Sequence, residues 1–284
     1  MFTPQVVINA DDFGRSIAIN TAVMRAHREG VLTSASLMVT GDAWEEAVAL
    51  AHDTPTLAVG LHLVVGNGRG VLPHKDIPHL VDESGRFPDD PLRAGLYYGF
   101  SLAAQAELAR EVTAQFDRFA ATGLPLSHVD GHLHLHVHPT VFNLLLPLAQ
   151  GYGAHGVRLP RDDFSLALRY DRRQAMAKLA WAIALGLVCR WCQRRLRGSR
   201  LAVPRRVYGV MQSGQMQEAY VVEALRHLRE PTTELYFHPS TWPQREALGP
   251  NPGDLDTLLS PAVRQVIVER GMCLATYATL EEVG

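Results

Sequence analysis

Short apolar runs that read as buried strands alternate with longer segments of helical periodicity along almost the whole chain, and no other feature constrains the fold as much. Residues 5–10 (QVVINA) are the first such run, and 16–29 follow as a helix with Ser16 placed to cap it. Further strands are predicted at 34–39, 58–64, 126–130, 156–159, 207–210, 234–238 and 272–276, and helices at 43–52, 103–121, 139–150, 217–229 and 261–270. Between them, 65–94 is rich in Gly, Pro and Asp and reads as a long functional loop. Strands separated by helices run parallel, because a parallel connection needs a crossover. About eight such units favour an α/β fold whose sheet is closed, or nearly closed, into a barrel. No internal repeat or low-complexity linker divides the 284 residues, which read as one domain.

The polar residues fall at one end of these strands. Asp11 and Asp12 follow the first, His62 ends the third, Asp130 and His132 follow the strand that starts near 126, and Arg158 and His238 end two others. In β/α barrels the C-terminal strand ends share one mouth, where catalytic groups gather, so five distant segments are expected to converge. An Asp pair after a strand also suits a turn or helix cap. On extended backbone, however, neighbouring side chains point to opposite sides. One carboxylate can then hold a metal while the other reaches a water, the division that metal-assisted hydrolysis needs.

The segment 128–139 (HVDGHLHLHVHP) places His132, His134, His136 and His138 at period two, which in extended conformation would line one face with imidazoles suited to zinc and related divalent ions. Alternate residues of a strand lie ~6.5–7 Å apart, so one or two ligate and the others line the pocket or the surface. His132, nearest the strand end, is favoured. Asp130 is a candidate for orienting an imidazole from behind, with His134 as another such neighbour.

In order, NADDFG, GLHL, DGHLHLH, VRLPR and LYFHP resemble the motifs of the YdjC-like (ChbG-type) carbohydrate deacetylases, over about residues 6–276. HREGVLTSASLMVTG and TGLPLSHVDGHLHLHVHPTVFNLL are most similar to the hopanoid-biosynthesis-associated branch of that family. The resemblance implies a distorted TIM-like (β/α) barrel holding one divalent ion, Zn or Mg, that removes acetyl from an N-acetylated sugar. It implies Asp12, His62 and His132 as metal ligands, Asp11 as base, His238 as general acid, and Arg158 as the residue that holds Asp11 ionised and oriented. Within it, the hopanoid branch points to an N-acetylglucosamine-bearing glycolipid as substrate. The alternatives are a soluble chitooligosaccharide deacetylase, another metal hydrolase with HxH pairs, and a non-catalytic metal- or carbohydrate-binding barrel that would leave Asp11, Arg158 and His238 without a role.

Composition bears on one more segment. The chain carries 27 Lys+Arg against 29 Asp+Glu, yet residues 172–217 hold ten basic residues and no acid. The apolar run that opens 179–206 is too short to span a bilayer, and it passes into clustered arginines. A helical insertion near 172–206 is expected. A buried core helix explains its apolar half but not the unbroken positive charge. Trp181 and Trp191 beside arginines instead suit an anionic membrane surface. Nucleic acid is a poor fit to this aliphatic, Trp-bearing stretch, and a homodimer is left open. Three cysteines and no visible signal segment lead to the expectation of a cytoplasmic protein, peripheral on the inner face of the membrane, with Cys189 and Cys192 packed in a helix.

Overall fold

The computed structural model describes residues 3–280, apart from 174, 247 and 248. Its strands are β1 (Gln5–Phe13), β2 (Ser34–Leu37), β3 (Ala58–Leu63), β4 (His128–Gly131), β5 (Gly156–Val157), β6 (Arg206–Tyr208), β7 (Thr232–Phe237) and β8 (Cys273–Ala275). All pair in parallel, in the order β5-β4-β3-β2-β1-β7-β6, and β8 joins the first residues of β1. The sheet curls without closing. Between its end strands β5 and β6, the segment around Ala202 fills part of the gap: Val157 N donates to the Ala202 carbonyl at 3.0 Å and Ala202 N to the His155 carbonyl at 2.8 Å. The alternation of elements pointed to a closed or nearly closed barrel, and the open curl is the distorted β/α form that the family resemblance implies.

Around the sheet lie α1 (Ile17–Glu29), α2 (Trp44–His52), α3 (Pro91–Phe100), α4 (Leu102–Ala121), α5 (Pro139–Gly151), α6 (Phe164–Tyr170), α7 (Ala175–Arg195), α8 (Glu218–His227), α9 (Pro252–Leu258) and α10 (Pro261–Glu269). Ser16 caps α1, its hydroxyl accepting from Ile19 N. The sequence reading missed α3, α6 and α9. All three are short, and two begin with proline at the first helical position, where its missing N–H costs nothing. The segment expected at 172–206 forms α7, and 196–205 continues outside a helix.

The two faces of the central strand part by period two. Val6, Ile8 and Ala10 join the main apolar core against the helices, whereas Asn9 and Asp11 face the interior of the curl. On β7, Leu235 and Phe237 belong to the core while Glu234 reaches into the interior. A barrel interior lined by such residues is a polar network, and it carries the site.

The long connection after β3 is tied down by side chains of α4. Gln115 pairs with both backbone groups of Val64, at 2.9 and 2.6 Å. One turn earlier Glu111 accepts from Val71 N and Leu72 N at 2.8 and 2.9 Å, and another turn back Glu107 accepts from His79 N at 2.8 Å. The spacing 107, 111, 115 puts the three acceptors on one helix face.

Candidate active site

The ends of β1, β3, β4 and β7 open into one cavity of about 660 Å³ lined by Asp11, Asp12, His62, His132, His134, Tyr236 and His238. Asp12 has φ 65°, the left-handed region that Asp tolerates better than most residues. That twist separates its carboxylate from that of Asp11. Asp12 Oδ1 lies 3.4 Å from His62 Nε2 and 3.2 Å from His132 Nδ1, and one ligand atom from each of the three residues lies within 4.8 Å of the others. Asp12 Oδ2 is held by Arg15 at 3.0 Å, and Arg15 in turn pairs with Glu246 at 2.8 Å.

These residues fit a divalent ion on their own geometry. Asp12 Oδ1 is buried and has no hydrogen-bond partner. His62 donates from Nδ1 to Asp130 Oδ1 at 2.7 Å, which fixes its proton there and leaves the Nε2 lone pair turned toward Asp12. Without an ion the same arrangement favours a proton. Burial opposes charge on His62, but the adjacent Asp130 and Asp12 carboxylates outweigh it and raise the imidazole pKa to about 10. Burial likewise opposes charge on Asp12, yet the neighbouring His132 and His62 hold its carboxyl well below the usual range. Around this cluster four buried carboxylates, Asp11, Asp12, Asp130 and Glu234, face Arg15 and Arg158, an excess of negative charge that a divalent cation would balance.

Arg158 is fully buried and gathers three of those carboxylates. Its two terminal nitrogens meet the two oxygens of Asp11, each at 2.7 Å, and Nη2 also reaches Asp130 at 2.8 Å and Glu234 at 2.7 Å. Its guanidinium carbon lies 4.5 Å from the centre of the Tyr236 ring. Burial opposes its charge, but Asp11, Asp130 and Glu234 raise its pKa well above the ordinary value. Behind them, Asn9 donates to Asp11 at 2.9 Å and to Ser36 at 2.8 Å, and Ser36 donates to Asp130 at 2.7 Å. Tyr277 closes the network, donating to Glu234 at 2.6 Å while its ring stacks on His128.

The histidine run departs from the expected extended strand. β4 ends at Gly131 because the chain must turn into α5 at Pro139, and His132–Val137 coil in a 3₁₀ turn with Leu133 and His134 at φ 55° and 57°. The four rings therefore point apart. His132 joins Asp12. His134 lines the cavity, its Nε2 3.1 Å from the Tyr236 hydroxyl, and burial among His136 and Arg158 pushes its pKa well down. His136 is buried behind it, donating to the Arg158 carbonyl at 3.0 Å, with burial pushing its pKa to about 4. His138 sits at the start of α5, its ring toward α3 near Gly95 and Gly99.

His238 lines the cavity with Nδ1 buried and unpartnered, while Asp254 holds its backbone N–H at 2.8 Å. The structure thus brings together Asp11, Asp12, His62, His132, Arg158 and His238, with Asp130 behind His62. The sequence reading missed Asn9, Arg15, Ser36, His128, Glu234, Tyr236 and Tyr277. Period two would have found three of them, since Asn9 precedes Asp11, and Glu234 and Tyr236 precede His238, on single strand faces.

The profile of the YdjC-like protein family matches residues 5–269. A carbohydrate deacetylase of Brevibacillus brevis is 46% identical over 169 residues, 57% of this chain and 65% of that protein. A chitooligosaccharide deacetylase of Serratia marcescens is 31% identical over 283 residues, 97% of this chain and 98% of that one. Among solved structures, one from Enterococcus faecalis V583 superposes with TM-score 0.75 at 23% identity, covering 97% of this chain and 98% of that one. That likeness speaks for the fold alone. The ordered motifs, the curled parallel sheet and the profile match together make this chain a member of the YdjC-like family.

Proposed function

We propose that the protein is a metal-dependent carbohydrate N-deacetylase that releases acetate from N-acetylated sugars, with short chitin-type oligosaccharides as its substrates. The observation that carries this reading is the Asp12–His62–His132 cluster beside Asp11, which Arg158 holds from behind, with His238 lining the same cavity just after β7, the neighbour of β1. The full-length match to the Serratia chitooligosaccharide deacetylase supports the substrate class.

A divalent ion held by Asp12, His62 and His132 would polarise the amide carbonyl and lower the pKa of water toward ~7. Two imidazoles and a carboxylate suit zinc and neighbouring transition metals better than magnesium, which prefers oxygen. Asp11 is oriented by both nitrogens of Arg158 and by Asn9, and takes the proton of the attacking water as its oxygen bonds to the carbonyl carbon. When the C–N bond breaks, the nitrogen must leave protonated, and His238 supplies that proton from its buried ring. Arg158 serves by position, holding Asp11 in place.

The test is acetate release from chitobiose and chitotriose by the zinc-loaded protein, compared with His238→Ala. Turnover by the wild type and a loss of at least ~10²-fold in the variant are expected. No acetate from any N-acetylated sugar would sink the reading.

A second reading, an N-acetylglucosamine-bearing hopanoid glycolipid as substrate, is favoured by the apolar side of the cavity, where Pro91, Leu133, Trp181, Val210 and Met211 face the same space. Comparing rates on a lipid-linked and a soluble N-acetylglucosamine conjugate separates the two.

A further inference from the structure

Outside the cavity, the most conspicuous feature left without a role is the rim made by α3 and α7. Pro91, the first residue of α3, and Trp181 on α7 both line the active-site cavity, so the two helices stand at its mouth. Along α3, Leu92, Leu96 and Phe100 follow at i, i+4 and i+8 and are 66%, 65% and 86% exposed. Along α7, positions 176, 180, 183, 187, 190 and 194 form one stripe that reads Met, Ala, Ile, Leu, Arg, Arg, and every one of them is exposed. The opposite side of α7 is ordinary core, with Leu185, Cys189 and Cys192 buried. α7 is therefore two-sided, and one side has nothing over it among the described residues.

Single exposed apolar side chains are common, but a row of them on each of two helices that border one opening marks a contact surface. Charge selects the occupant. The α7 stripe passes from apolar to arginine, and no Asp or Glu occurs from 172 to 217. The nearest acids on the α3 side, Asp89 and Asp90, precede that helix, and Asp90 is engaged as its cap. A second copy meeting this stripe with its own would bring no carboxylate to the arginines. An anionic bilayer offers both an apolar layer and negative headgroups. Two of the aromatic and basic residues that sequence alone would assign to the lipid surface are instead tied to the body of the protein. Trp191 packs edge-on against Phe142, and Arg195 lies over Trp191 and donates to Asn143 at 2.6 Å.

We infer that the α3–α7 rim seats the protein on an anionic lipid surface, with the cavity mouth turned to the headgroups. The docking stands on the rim alone. The further consequence, that an N-acetylated sugar carried on a lipid reaches Asp12, His62 and His132 without leaving the bilayer surface, rests on the deacetylase reading above.

The test is cosedimentation of the zinc-loaded, full-length protein with phosphatidylcholine vesicles, with and without phosphatidylglycerol. Two variants accompany the wild type, Leu96→Ser/Phe100→Ser and Arg190→Glu/Arg194→Glu/Arg197→Glu. The expected result is salt-sensitive binding to the phosphatidylglycerol vesicles alone, weakened at least about tenfold in each variant. Circular dichroism and acetate release from soluble chitotriose should be unchanged, since none of the substituted residues touches the site. Wild-type protein left in the supernatant, or variants that sediment like it, overturns the proposal. So does a dimer in sedimentation velocity that the same substitutions dissociate, without vesicle binding, which assigns the rim to a second copy. Vesicle binding without acetate release from any substrate leaves the docking standing and removes the deacetylase reading.

Discussion

His62 Nδ1 and Asp130 Oδ1 are 2.7 Å apart, both residues are buried, and Asp130 is itself fixed by Arg158 and Ser36. The pair sets both the tautomer and the tilt of the ring that faces Asp12. Asp130→Asn should therefore weaken zinc binding by about 10- to 100-fold with the fold intact, as loss of such outer partners does elsewhere. Chelator competition measures it. Alanine at Asp12, His62 or His132 should remove stoichiometric zinc altogether, and a double alanine variant that still carries one ion per chain would refute the ligand set.

Asp11→Asn should keep the ion and stop turnover. An amide cannot accept a proton from water, and the rate is expected to fall by at least ~10²-fold. Zinc content by elemental analysis and acetate release, measured on the same preparation, check both halves. Near wild-type turnover would assign the base to another group.

Arg158→Met should cost more in stability than any other single change at the site. It strips the counter-charge from Asp11, Asp130 and Glu234, all buried, and breaking such a pair costs ~3–5 kcal/mol. Urea unfolding of the wild type and the variant gives the difference. A loss below ~1 kcal/mol would mean that the three carboxylates take up protons or water without penalty.

Acid should unfold the protein partly through His128. Burial pushes its pKa from 6.5 to about 4, although Asp130 pulls the other way. A histidine kept neutral in the fold but free to charge once unfolded makes the unfolded chain bind more protons as pH falls from 6.5 to 4, so stability is lost across that window. His136 acts in the same direction. Asp162 acts in the opposite one: burial raises its carboxyl from 3.8 to about 6, so the fold holds its proton longer and gains stability as pH falls through that range. His128→Gln isolates one group. Its stability-against-pH curve between pH 6.5 and 4 should be flatter than that of the wild type by about one proton. An unchanged slope would show that His128 charges freely in the folded protein.

Much of this architecture was legible in the sequence, and the reasons are physical. The β and α alternation and the polar residues at strand ends survive because parallel connections and a common mouth leave few other arrangements, and Asp11 and Asp12 meet different partners, Arg158 and His132, although it is left-handed backbone at Asp12 that parts them and not the extension expected. The His132–His138 run misled because period two was taken as extension. The turn into α5 forces Leu133 and His134 into left-handed backbone, a constraint that belongs to the tertiary path and not to the residues themselves. Ser36 and Tyr277 were out of reach for another reason. Each is an unremarkable residue whose importance comes from facing a partner of Arg158 across the barrel, and only long-range geometry reveals that.

Gln115, Glu111 and Glu107 on α4 grip the chain at Val64, Val71, Leu72 and His79, so much of a connection with little secondary structure of its own is anchored like a strand along a helix face. Opening of the cleft by that wall would mean breaking several buried acceptors at once. Any breathing of the cleft then belongs to the facing wall, where exposed Glu246 reaches half-buried Arg15. Amide hydrogen exchange should record the asymmetry as slow exchange at Val64, Val71, Leu72 and His79, and as fast exchange around Glu246.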